Sequence, residues 1–426
     1  MARLLYTALF YLSLPLIVAR LWWRGRRAPA YRQRIAERFG YFSQQVAPSG
    51  IWVHAVSVGE VIAAASLVRA LLQRHPNVPI TITTMTPTGS ERVRDLFSKE
   101  LLTHSVFHVY APYDVPHCLA RFLQRVQPRL LIIIETELWP NTVHACAMRN
   151  IPVVLANARL SEKSARGYGR FRALTTPMLR ELDKVVAQNA DDGARFVALG
   201  LPQKNLAISG SIKFDISLDA ELMARAQQMR VEWRSENRFT WIAASTHVGE
   251  DEIVLQAHRQ LRAQYPDALL ILVPRHPERF NDVAAFIEKN NFAFVRRSAG
   301  PTIAGDCAVL LGDTMGELLF LLGCADCAFV GGSLIARGGH NTLEPAAWGL
   351  PIITGPSDFN FREISALLQR DGALKMVANE NALAGELIAL AGNAELRSQR
   401  GGAAKQVVAA NRGALEKLIR EIEGYL

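Results

Sequence analysis

A glutamate, Glu60, ends the segment HAVSVGE, between an apolar run and the helix-like segment VIAAASLVRALL. A carboxylate at such a junction can take a proton from a bound hydroxyl group and act as a general base. Glutamate is also favoured in the first turn of a helix, where the helix dipole stabilises a negative charge. Apolar neighbours such as Val58 and Val61 oppose ionisation by desolvation. The local sequence leaves both roles of Glu60 open, and with them its state of ionisation.

The stretch GGSLIARGGHNTLEPAAWGLPIITGP is the most specific part of the chain. Gly331 and Gly332 end an apolar run, and a second glycine pair leads through Asn341 into a helix. A glycine-rich turn before a helix presents free N–H groups, which suit a phosphate. Glu344, in the first turn, can accept hydrogen bonds from ribose hydroxyls. The alternative is helix capping, with Asn341 as the N-cap residue and Glu344 as its partner.

Two more turns follow apolar runs in the same half of the chain. Arg275, in PRHPER, can hold a phosphate with two parallel hydrogen bonds, although a surface ion pair is the alternative. The turn DTMGE, residues 313–317, follows another apolar run. Three such turns at strand ends predict a nucleotide pocket. Neither G-x-x-x-x-G-K-[ST] nor G-x-G-x-x-G occurs, which argues against a P-loop NTPase and a dinucleotide-dependent dehydrogenase.

The elements that must position these residues alternate along the chain. Short β-rich runs such as IWVHAVSV, VPITITTMT and PRLLIIIET are each followed by a helical stretch, and a second series begins near Thr240. This pattern predicts two α/β units with parallel sheets, in which ligands bind at the carboxyl ends of the strands. We expect a binding cleft between the units. The segments SVGE and STHVGE also form a weak internal echo after the first strand of each unit.

The N-terminal segment from Leu4 to Trp23 is apolar and about long enough to span a bilayer. Trp22 and Trp23 suit the membrane interface, and the following Arg24, Arg26 and Arg27 predict that the rest of the chain is cytoplasmic. The alternative is a helix lying in the interface plane. Either arrangement tethers the protein to the membrane.

Charge is distributed unevenly along the chain, whose net charge is +9. Residues 1–206 contain 26 Lys and Arg against 13 Asp and Glu, whereas the remainder contains 22 against 26. The first half should therefore face a membrane, phosphates or nucleic acid, unless its charge is only a scattered, solvated surface. No recognisable nucleic-acid module accompanies this basic half of the chain.

Five cysteines show no disulfide spacing, and the pair Cys324 and Cys327 is interpreted as buried thiols rather than a metal or redox site.

Taken together, the motifs SVGE, TMTPTGSERV, ETELWP, GSIKFD and GGHNTLEPAAWGLPIITGP resemble the 3-deoxy-D-manno-octulosonic acid (Kdo) transferase family of Gram-negative bacteria. The resemblance covers nearly the whole chain. It implies an α/β protein with the GT-B fold: two Rossmann-like, doubly wound domains facing a cleft, with an N-terminal membrane-anchoring helix. The implied segments are an anchor (1–28), an acceptor domain (29–206), a nucleotide-sugar domain (207–396) and a C-terminal helix (397–426) crossing back to the first domain.

The resemblance also implies CMP-Kdo as donor and a lipid A precursor, lipid IVA, as acceptor at the bacterial inner membrane. It assigns Glu60 as general base, and Glu135 and Lys213 as residues that support the transition state. Without it, Glu135 and Glu137 are equally well explained as helix caps and Lys213 as a solvated linker charge. The implied CMP-binding residues are Pro274, Arg275, Met315, Gly316, Glu317, Asn341, Thr342, Leu343 and Glu344.

Several expectations follow from the chemistry of such a transfer. One base and direct displacement of CMP predict inversion at the anomeric carbon. Arg275 and helix N-termini can stabilise the leaving phosphate, and no D-x-D motif stands at a strand end, so neither a metal nor a cofactor is expected. Ser90 and Arg92, at a helix start, are candidate contacts for an acceptor phosphate. The rivals are a GT-B enzyme using a UDP- or GDP-sugar and a non-enzymatic, membrane-tethered protein that binds anionic lipids; nucleic acid is not expected as a partner.

Overall fold

The computed structural model describes residues 1–426 except 27, 45, 234–237, 301–302, 304–305 and 360. Arg27, part of the predicted arginine cluster, thus lies outside the described residues. The chain divides into two compact units, the first formed by residues 1–215 and 412–426 and the second by residues 216–411. Each unit contains a seven-stranded sheet, and every described strand pair is parallel.

The sheet of unit one has the strand order β3-β2-β1-β4-β5-β6-β7. Its strands are nearly continuous apolar runs because helices cover both faces of a parallel sheet, and all five residues of LLIII in β4 are buried. The strands are β1 Ile51–His54, β2 Ile80–Thr84, β3 Val106–Tyr110, β4 Leu130–Ile134, β5 Val153–Ala158, β6 Lys184–Ala187 and β7 Leu206–Ile208.

Helices alternate with these strands along the chain. Buried positions of the second helix recur at helical spacing, at Val61, Ala64, Ala65, Val68 and Leu71, so one face packs on the sheet. The helices are α1 Ala2–Arg24, α2 Val58–Arg74, α3 Pro87–Leu96, α4 Ser98–Leu102, α5 Pro116–Val126, α6 Pro140–Ala147, α7 Glu162–Arg170, α8 Arg172–Arg180 and α9 Ala190–Leu199.

Unit two repeats the architecture with the order β10-β11-β9-β8-β12-β13-β14. Its strands are β8 Thr240–Thr246, β9 Leu269–Pro274, β10 Phe294–Arg296, β11 Val309–Leu311, β12 Cys327–Val330, β13 Ile352–Thr354 and β14 Leu374–Met376. Its helices are α10 Ala220–Glu232, α11 Glu250–Gln264, α12 Phe280–Lys289, α13 Leu318–Gly323, α14 Leu343–Trp348, α15 Arg362–Arg370, α16 Glu380–Gly392 and α17 Ala394–Asn411. Two parallel sheets of this kind confirm the predicted fold class.

The C-terminal stretch is two helices, whereas the sequence predicted one. Helix α17 belongs to unit two, and α18, Ala414–Glu423, belongs to unit one. The Asp215 carboxylate accepts hydrogen bonds from the backbone N–H groups of Gly413 and Leu415, both at 2.7 Å, and so holds the start of α18. Leu418 and Ile422 lie in the core of unit one.

The structural division also lies later than the predicted boundary between residues 206 and 207. Strand β7 pairs with β6 and therefore extends the sheet of unit one. The 3₁₀ turn Ile212–Phe214, which carries Lys213, follows β7 within the same unit. The predicted boundary fell inside this last strand because LAI is too short to be distinguished from a linker by its pattern.

All five cysteines are buried and free, which confirms the interpretation of Cys324 and Cys327 as buried thiols. Burial raises the pKa of the Cys324 thiol to about 12. Both side chains thus behave as small apolar residues.

Candidate functional site

Glu60 and Glu135 follow neighbouring strands at the centre of the first sheet. The chain runs from β1 to β2 on one side and from β4 to β5 on the other, so the strand order reverses between β1 and β4. Glu60 lies in the first turn of α2, after β1, and Glu135 comes directly after β4. This reversal is the place where doubly wound sheets bind their ligands, so the structure puts both predicted carboxylates at the expected edge.

Glu60 is built into the start of α2. Its backbone N–H donates to the Ser57 hydroxyl oxygen at 3.3 Å, which makes Ser57 the N-cap residue. In return its carboxylate accepts a hydrogen bond from the Ser57 hydroxyl at 3.0 Å and one from the backbone N–H of Val56 at 2.6 Å. Only 8% of Glu60 is exposed. Helix capping and a chemical role are therefore compatible, because the cap holds the carboxylate in one orientation.

The ionisation of Glu60 is shifted to neutral pH. Burial is the largest cause and the nearby Glu137 carboxylate the next, and together they outweigh the hydrogen bonds from Val56 and Ser57 and raise the pKa of Glu60 to about 7. Desolvation thus prevails at this position. A carboxylate that titrates near pH 7 is well matched to general base catalysis at that pH.

An ion pair lies beside Glu60. The Nζ atom of Lys213 is 2.9 Å from Oε1 of Glu135. The Glu135 charge contributes to the raised pKa of Glu60, which shows that the two carboxylates are close enough to interact. Lys213 is therefore a paired charge and does not fit the alternative of a solvated linker residue.

Two residues on this sheet edge adopt left-handed backbone conformations. Glu135 has φ of 61° and Asn157, the next-to-last residue of β5, has φ of 52°. Asn157 is fully buried, and its side-chain oxygen accepts a hydrogen bond from the backbone N–H of Ile212 at 3.2 Å. It thereby holds the turn that carries Lys213. Asn157 was not predicted, although an asparagine at the end of the apolar run VVLA was a usable signal because asparagine tolerates this conformation.

The structure rejects helix capping as the role of Glu135 and Glu137. The N–H groups at the start of α6 are bound by Asp114, whose carboxylate accepts from Asn141 at 3.0 Å and Thr142 at 2.7 Å. Glu137 instead accepts a hydrogen bond from the Trp139 indole at 3.2 Å. Burial raises its pKa above the usual range, and the Glu135 charge adds to this.

The predicted acceptor contacts lie at the start of α3, but Ser90 is not accessible. It is fully buried, and its hydroxyl oxygen accepts hydrogen bonds from Arg34 at 3.1 Å and Arg94 at 3.0 Å. The expectation that Ser90 itself touches an acceptor phosphate was therefore wrong, since its hydroxyl holds two guanidinium groups instead. Arg92 is half-buried on the same helix.

The strand order of unit two reverses between β8 and β12, and residues at the ends of β8, β9 and β12 converge there. Pro274 ends β9, and the backbone N–H of Arg275 donates to the Thr246 carbonyl at 2.9 Å. The imidazoles of His247 and His340 stack, with their Nε2 atoms 2.8 Å apart.

Burial and neighbouring cations keep these two histidines neutral. Burial is the largest cause in each case, and the charge of Arg275 contributes to both. The pKa values of His247 and His340 fall to about 4. A guanidinium group beside neutral imidazoles, at the edge where ligands bind, suits a phosphate ester.

The glycine-rich segment after β12 is organised by Glu250. This fully buried carboxylate accepts hydrogen bonds from the backbone N–H groups of Gly332 at 2.7 Å and of Ser333 and Leu334, both at 3.0 Å. It also accepts one from the backbone N–H of His247 at 3.0 Å. In the sequence, Glu250 stands out only through the internal echo with Glu60. Both glutamates bind backbone N–H groups before their own helix, but Glu250 is surrounded by such donors.

The segment Asn341–Glu344 has its own local hydrogen bonds. The Asn341 side chain accepts from the backbone N–H of Leu343 and donates to the Glu344 carboxylate, both at 3.1 Å. Helix α14 begins at Leu343 with Thr342 as its N-cap residue, one position later than the predicted cap at Asn341. The Thr342 hydroxyl is buried and makes no hydrogen bond to the described residues.

The turn after β11 stands apart from this centre, because β9 lies between β11 and β8. Met315 is 63% exposed, and Gly316 has φ of 81°. The Glu317 carboxylate lies 2.5 Å from Arg225 and 3.1 Å from Arg297 and accepts from the Thr314 hydroxyl. Burial opposes its ionisation, but these contacts outweigh burial and lower its pKa. Glu317 is thus tied into a local ion-pair network.

Within the described ranges, no three or more His, Cys, Asp or Glu side chains are grouped so that they could hold a metal ion. Independence of the reaction from metals stays a prediction.

Comparison with known proteins identifies the family of this chain. The family model described as 3-Deoxy-D-manno-octulosonic-acid transferase (kdotransferase) matches residues 33–216. The 3-deoxy-D-manno-octulosonic acid transferase of Haemophilus influenzae is 47% identical and covers 100% of this chain and 99% of its own length. That of Bordetella pertussis is 37% identical over 100% of both. The crystal structure of a glycosyltransferase from Rickettsia africae aligns with 89% of this chain and 98% of its own chain, with a TM-score of 0.54. At 13% sequence identity this similarity shows the fold alone.

Proposed function

The chain belongs to the 3-deoxy-D-manno-octulosonic acid transferase family and is a glycosyltransferase, and we propose that it transfers Kdo from CMP-Kdo to lipid IVA with inversion at the anomeric carbon. The observation that best supports this mechanism is the Glu60 carboxylate, held in the first turn of α2, after β1, with its pKa raised by burial to about 7. Membership of an enzyme family removes the alternative of a non-enzymatic lipid-binding protein.

In the proposed reaction, an acceptor hydroxyl oxygen attacks the anomeric carbon of Kdo while its proton moves to Glu60. The bond from that carbon to the CMP phosphate oxygen breaks, and CMP leaves with the bonding electrons. Proton removal in the transition state contributes about 10²- to 10⁴-fold to such reactions. A single displacement without a covalent intermediate inverts the configuration.

Lys213 is proposed to meet the carboxylate of Kdo or the charge that develops during transfer. Its ammonium group lies 2.9 Å from the Glu135 carboxylate, so the cation is already placed at this edge before substrate arrives. A cation fixed in this way stabilises negative charge without reorganising during the reaction. Asn157, which holds the turn bearing Lys213, is a positioning residue in this scheme.

The CMP moiety is proposed to bind at the edge of unit two where the ends of β8, β9 and β12 converge. Arg275 would hold the phosphate, and the backbone of the Glu250-bound segment would approach it closely. The buried Thr342 hydroxyl, which lacks a hydrogen-bond partner among the described residues, is a further candidate donor. These assignments rest on the pocket chemistry together with the family resemblance.

Incubation of the purified full-length chain with lipid IVA and CMP-Kdo, followed by mass spectrometry, tests the function directly. We expect a mass gain of one or more Kdo residues, and their number shows how many are added. The same result in EDTA would support metal-independent transfer. Absence of any Kdo-sized gain would refute the proposal.

A GT-B enzyme with another donor is the remaining rival, and calorimetric titration with CMP, UDP and GDP distinguishes it. CMP should bind to the wild-type chain and compete with CMP-Kdo, whereas UDP and GDP should not. Tight binding of UDP or GDP in place of CMP would favour the rival.

The rate should depend on pH through Glu60. The pKa of about 7 means that the carboxylate is mostly protonated below pH 7 and ionised above it. We therefore expect kcat/KM, which reports ionisations of the free enzyme, to rise about ten-fold from pH 6 to pH 8. Glu137→Gln removes a neighbouring negative charge and should move this rise to lower pH, while its amide oxygen can still accept from Trp139. A rise centred near pH 4.5, or one unmoved by Glu137→Gln, would count against this assignment.

Acceptor binding should depend on the basic residues of α3. Arg92→Ala should raise the KM for lipid IVA several-fold and leave the KM for CMP-Kdo unchanged, because a cation that contacts phosphate is lost. Ser90→Ala should act in the same direction, since Arg34 and Arg94 lose their shared acceptor. Arg149→Ala, an exposed arginine on the same unit, is the control of equal charge. An acceptor KM that Arg92→Ala leaves at the wild-type value would refute the contact.

Attachment to the inner membrane through α1 is part of the proposal. The most apolar 18-residue window of this 23-residue helix has a mean hydropathy of 1.8. Among the described residues, α1 is the single helix long and apolar enough to cross a membrane. An anchored enzyme would meet its lipid acceptor on the surface where that lipid resides.

A further inference from the structure

Helix α1 has two distinct faces, and one of them is packed on unit one. Phe10, Leu14, Ile17, Val18 and Leu21 lie against a cluster of three buried residues: Tyr113, Val115 and Cys118. These five positions recur at helical spacing along most of α1, so the contact follows the length of the helix rather than its end.

Polar contacts fix the first two turns of α1 to the same surface. The Tyr6 hydroxyl donates to the Asp114 carboxylate at 3.0 Å. The side chains of Arg3 and Thr7 donate to the Asn141 side-chain oxygen at 3.2 and 3.1 Å. We call these contacts the polar latch. Asp114 is only 1% exposed and also binds the start of α6, so the latch belongs to a buried network.

A helix crossing the bilayer would have to break the polar latch. The first turns of α1 would then lie on the opposite side of the bilayer from the arginines at its C-terminal end. The latch partners on unit one would remain on the side of those arginines. Arg3 and Tyr6 would lose these partners, and Thr7 would keep only the Arg3 carbonyl as an acceptor. Polar groups without partners are costly in hydrocarbon. The latch therefore favours a helix that remains beside unit one.

The opposite face of α1 is exposed and apolar. We call it the leucine face, and it consists of Leu4, Leu5, Leu9, Leu12 and Leu16, which are 58–75% exposed, together with Trp22 and Trp23. The leucines lie toward the N-terminal end of this face, and the two tryptophans lie at its C-terminal end. An apolar stripe that runs along a helix packed on a folded unit matches a helix lying in the membrane interface.

Charge identifies the kind of membrane that the leucine face fits. Arg20, Arg24 and Arg26 are exposed at the tryptophan end, and no Asp or Glu precedes Glu37 in the sequence. Basic residues near the surface of an anionic bilayer are attracted to its headgroups. A groove of about 740 Å³ runs along α1 between the packed face and the leucine face, and its lining includes Leu14 and Val18 from the first and Trp22 and Trp23 from the second.

We propose that α1 lies in the interface plane of an anionic bilayer, with the leucine face in the lipid and the opposite face held on unit one by the polar latch. The protein is then attached to one leaflet and does not span the membrane. This inference rests on the membrane attachment in the proposed function but not on the transfer reaction, and its tests do not use activity as their main readout.

The position of the N-terminus distinguishes the two arrangements. A short hydrophilic extension carrying one cysteine is placed before Met1, and all five native cysteines are buried, so only the added thiol should react. A membrane-impermeant maleimide should label it in inverted inner-membrane vesicles and leave it unlabelled in intact spheroplasts. Lys163→Cys, an exposed position on α7, is the control for the side occupied by unit one. Labelling of the extension in intact spheroplasts would show that α1 spans and would overturn the inference.

Substitutions on the leucine face test the lipid contact. Leu9→Glu combined with Leu12→Glu should lower co-sedimentation with phosphatidylglycerol–phosphatidylethanolamine vesicles at least ten-fold. Leu102→Glu changes an equally apolar residue, 81% exposed on α4, and should leave it unchanged. Transfer to acceptor in detergent micelles should persist in all these variants, which separates a failure of attachment from a failure of catalysis. Wild-type vesicle binding by the double variant would refute the leucine face.

Discussion

Glu60→Gln is expected to abolish Kdo transfer while CMP binding remains at the wild-type affinity. The substitution keeps the shape of the side chain and removes its ability to accept a proton. Loss of a general base lowers kcat by about 10²- to 10⁴-fold. Mass spectrometry of the product and a radiolabel or coupled assay of CMP release would measure this fall, and calorimetry would measure CMP affinity.

Unfolding is not the expected cause of that loss. The glutamine carbonyl can still accept from the Val56 N–H, and its amide group can donate to the Ser57 oxygen, so the cap of α2 is retained. The native pKa of Glu60 lies above its ordinary value of 4.5, so ionisation in the buried site opposes folding. The contribution of this residue to the free energy of unfolding therefore falls as pH rises from about 4.5 to 7, and the neutral variant escapes this loss.

Glu137→Gln is the matched control because it removes a carboxylate from the same cluster. It should remain active with a shifted pH profile, whereas Glu60→Gln should be inactive at every pH. Near-normal transfer by Glu60→Gln, with CMP bound, would return this residue to a purely structural role at the start of α2.

Much of the fold follows from patterns that are local in the sequence. Runs such as LLIII are too apolar for strands with one wet face, so they predict a parallel sheet covered on both sides, as β4 shows. Because the strands are parallel, their carboxyl ends lie at one edge of the sheet. Glu60 and Glu135 follow two such ends, so they could be expected near a ligand. The strand pattern fails at β7, whose three residues are partly exposed and do not extend into a longer apolar run.

The details of the site depend on contacts between residues that are distant in sequence. Asp114 caps α6 from another segment, which removes the capping role that local sequence allowed for Glu135 and Glu137. Ser90 lies on the buried face of α3, and its hydroxyl accepts a hydrogen bond from Arg34, which is far earlier in the chain. Glu250 could be identified as the residue that organises the glycine-rich segment only once Gly332 was brought beside it. Sequence patterns indicate the edge of the sheet, and tertiary packing decides which polar groups remain available there.

Lys213→Ala is the second change with a large expected effect. We expect kcat to fall about 10²- to 10³-fold, as it does when one fixed hydrogen-bond donor is removed from a site that stabilises developing charge. Two causes would contribute. The substrate charge would lose its cation, and Glu135 would become an unpaired carboxylate near Glu60. The second effect should raise the pKa of Glu60 further and move the rise of the pH–rate profile to higher pH.

Lys213→Arg separates a charge requirement from a simple packing role. It keeps a cation near Glu135 and should restore the pH profile, with a partial recovery of kcat because a guanidinium group differs in shape from an ammonium group. A packing role would not move the pH profile in either variant. Wild-type kcat in Lys213→Ala would exclude any role of this residue in transfer.

A double-mutant cycle decides which of the two causes dominates. If Lys213 serves mainly to neutralise Glu135, then Glu135→Gln combined with Lys213→Ala should recover most of the activity that Lys213→Ala loses. If Lys213 meets the charge of Kdo itself, the double variant should stay as slow as Lys213→Ala, although its pH profile returns toward that of the wild type. The 2.9 Å contact between Lys213 and Glu135 orients the ammonium group in the absence of substrate. We therefore expect the second outcome. If Lys213 only neutralised Glu135, the pair as a whole would contribute nothing to transfer, and a chain without both residues would be as active.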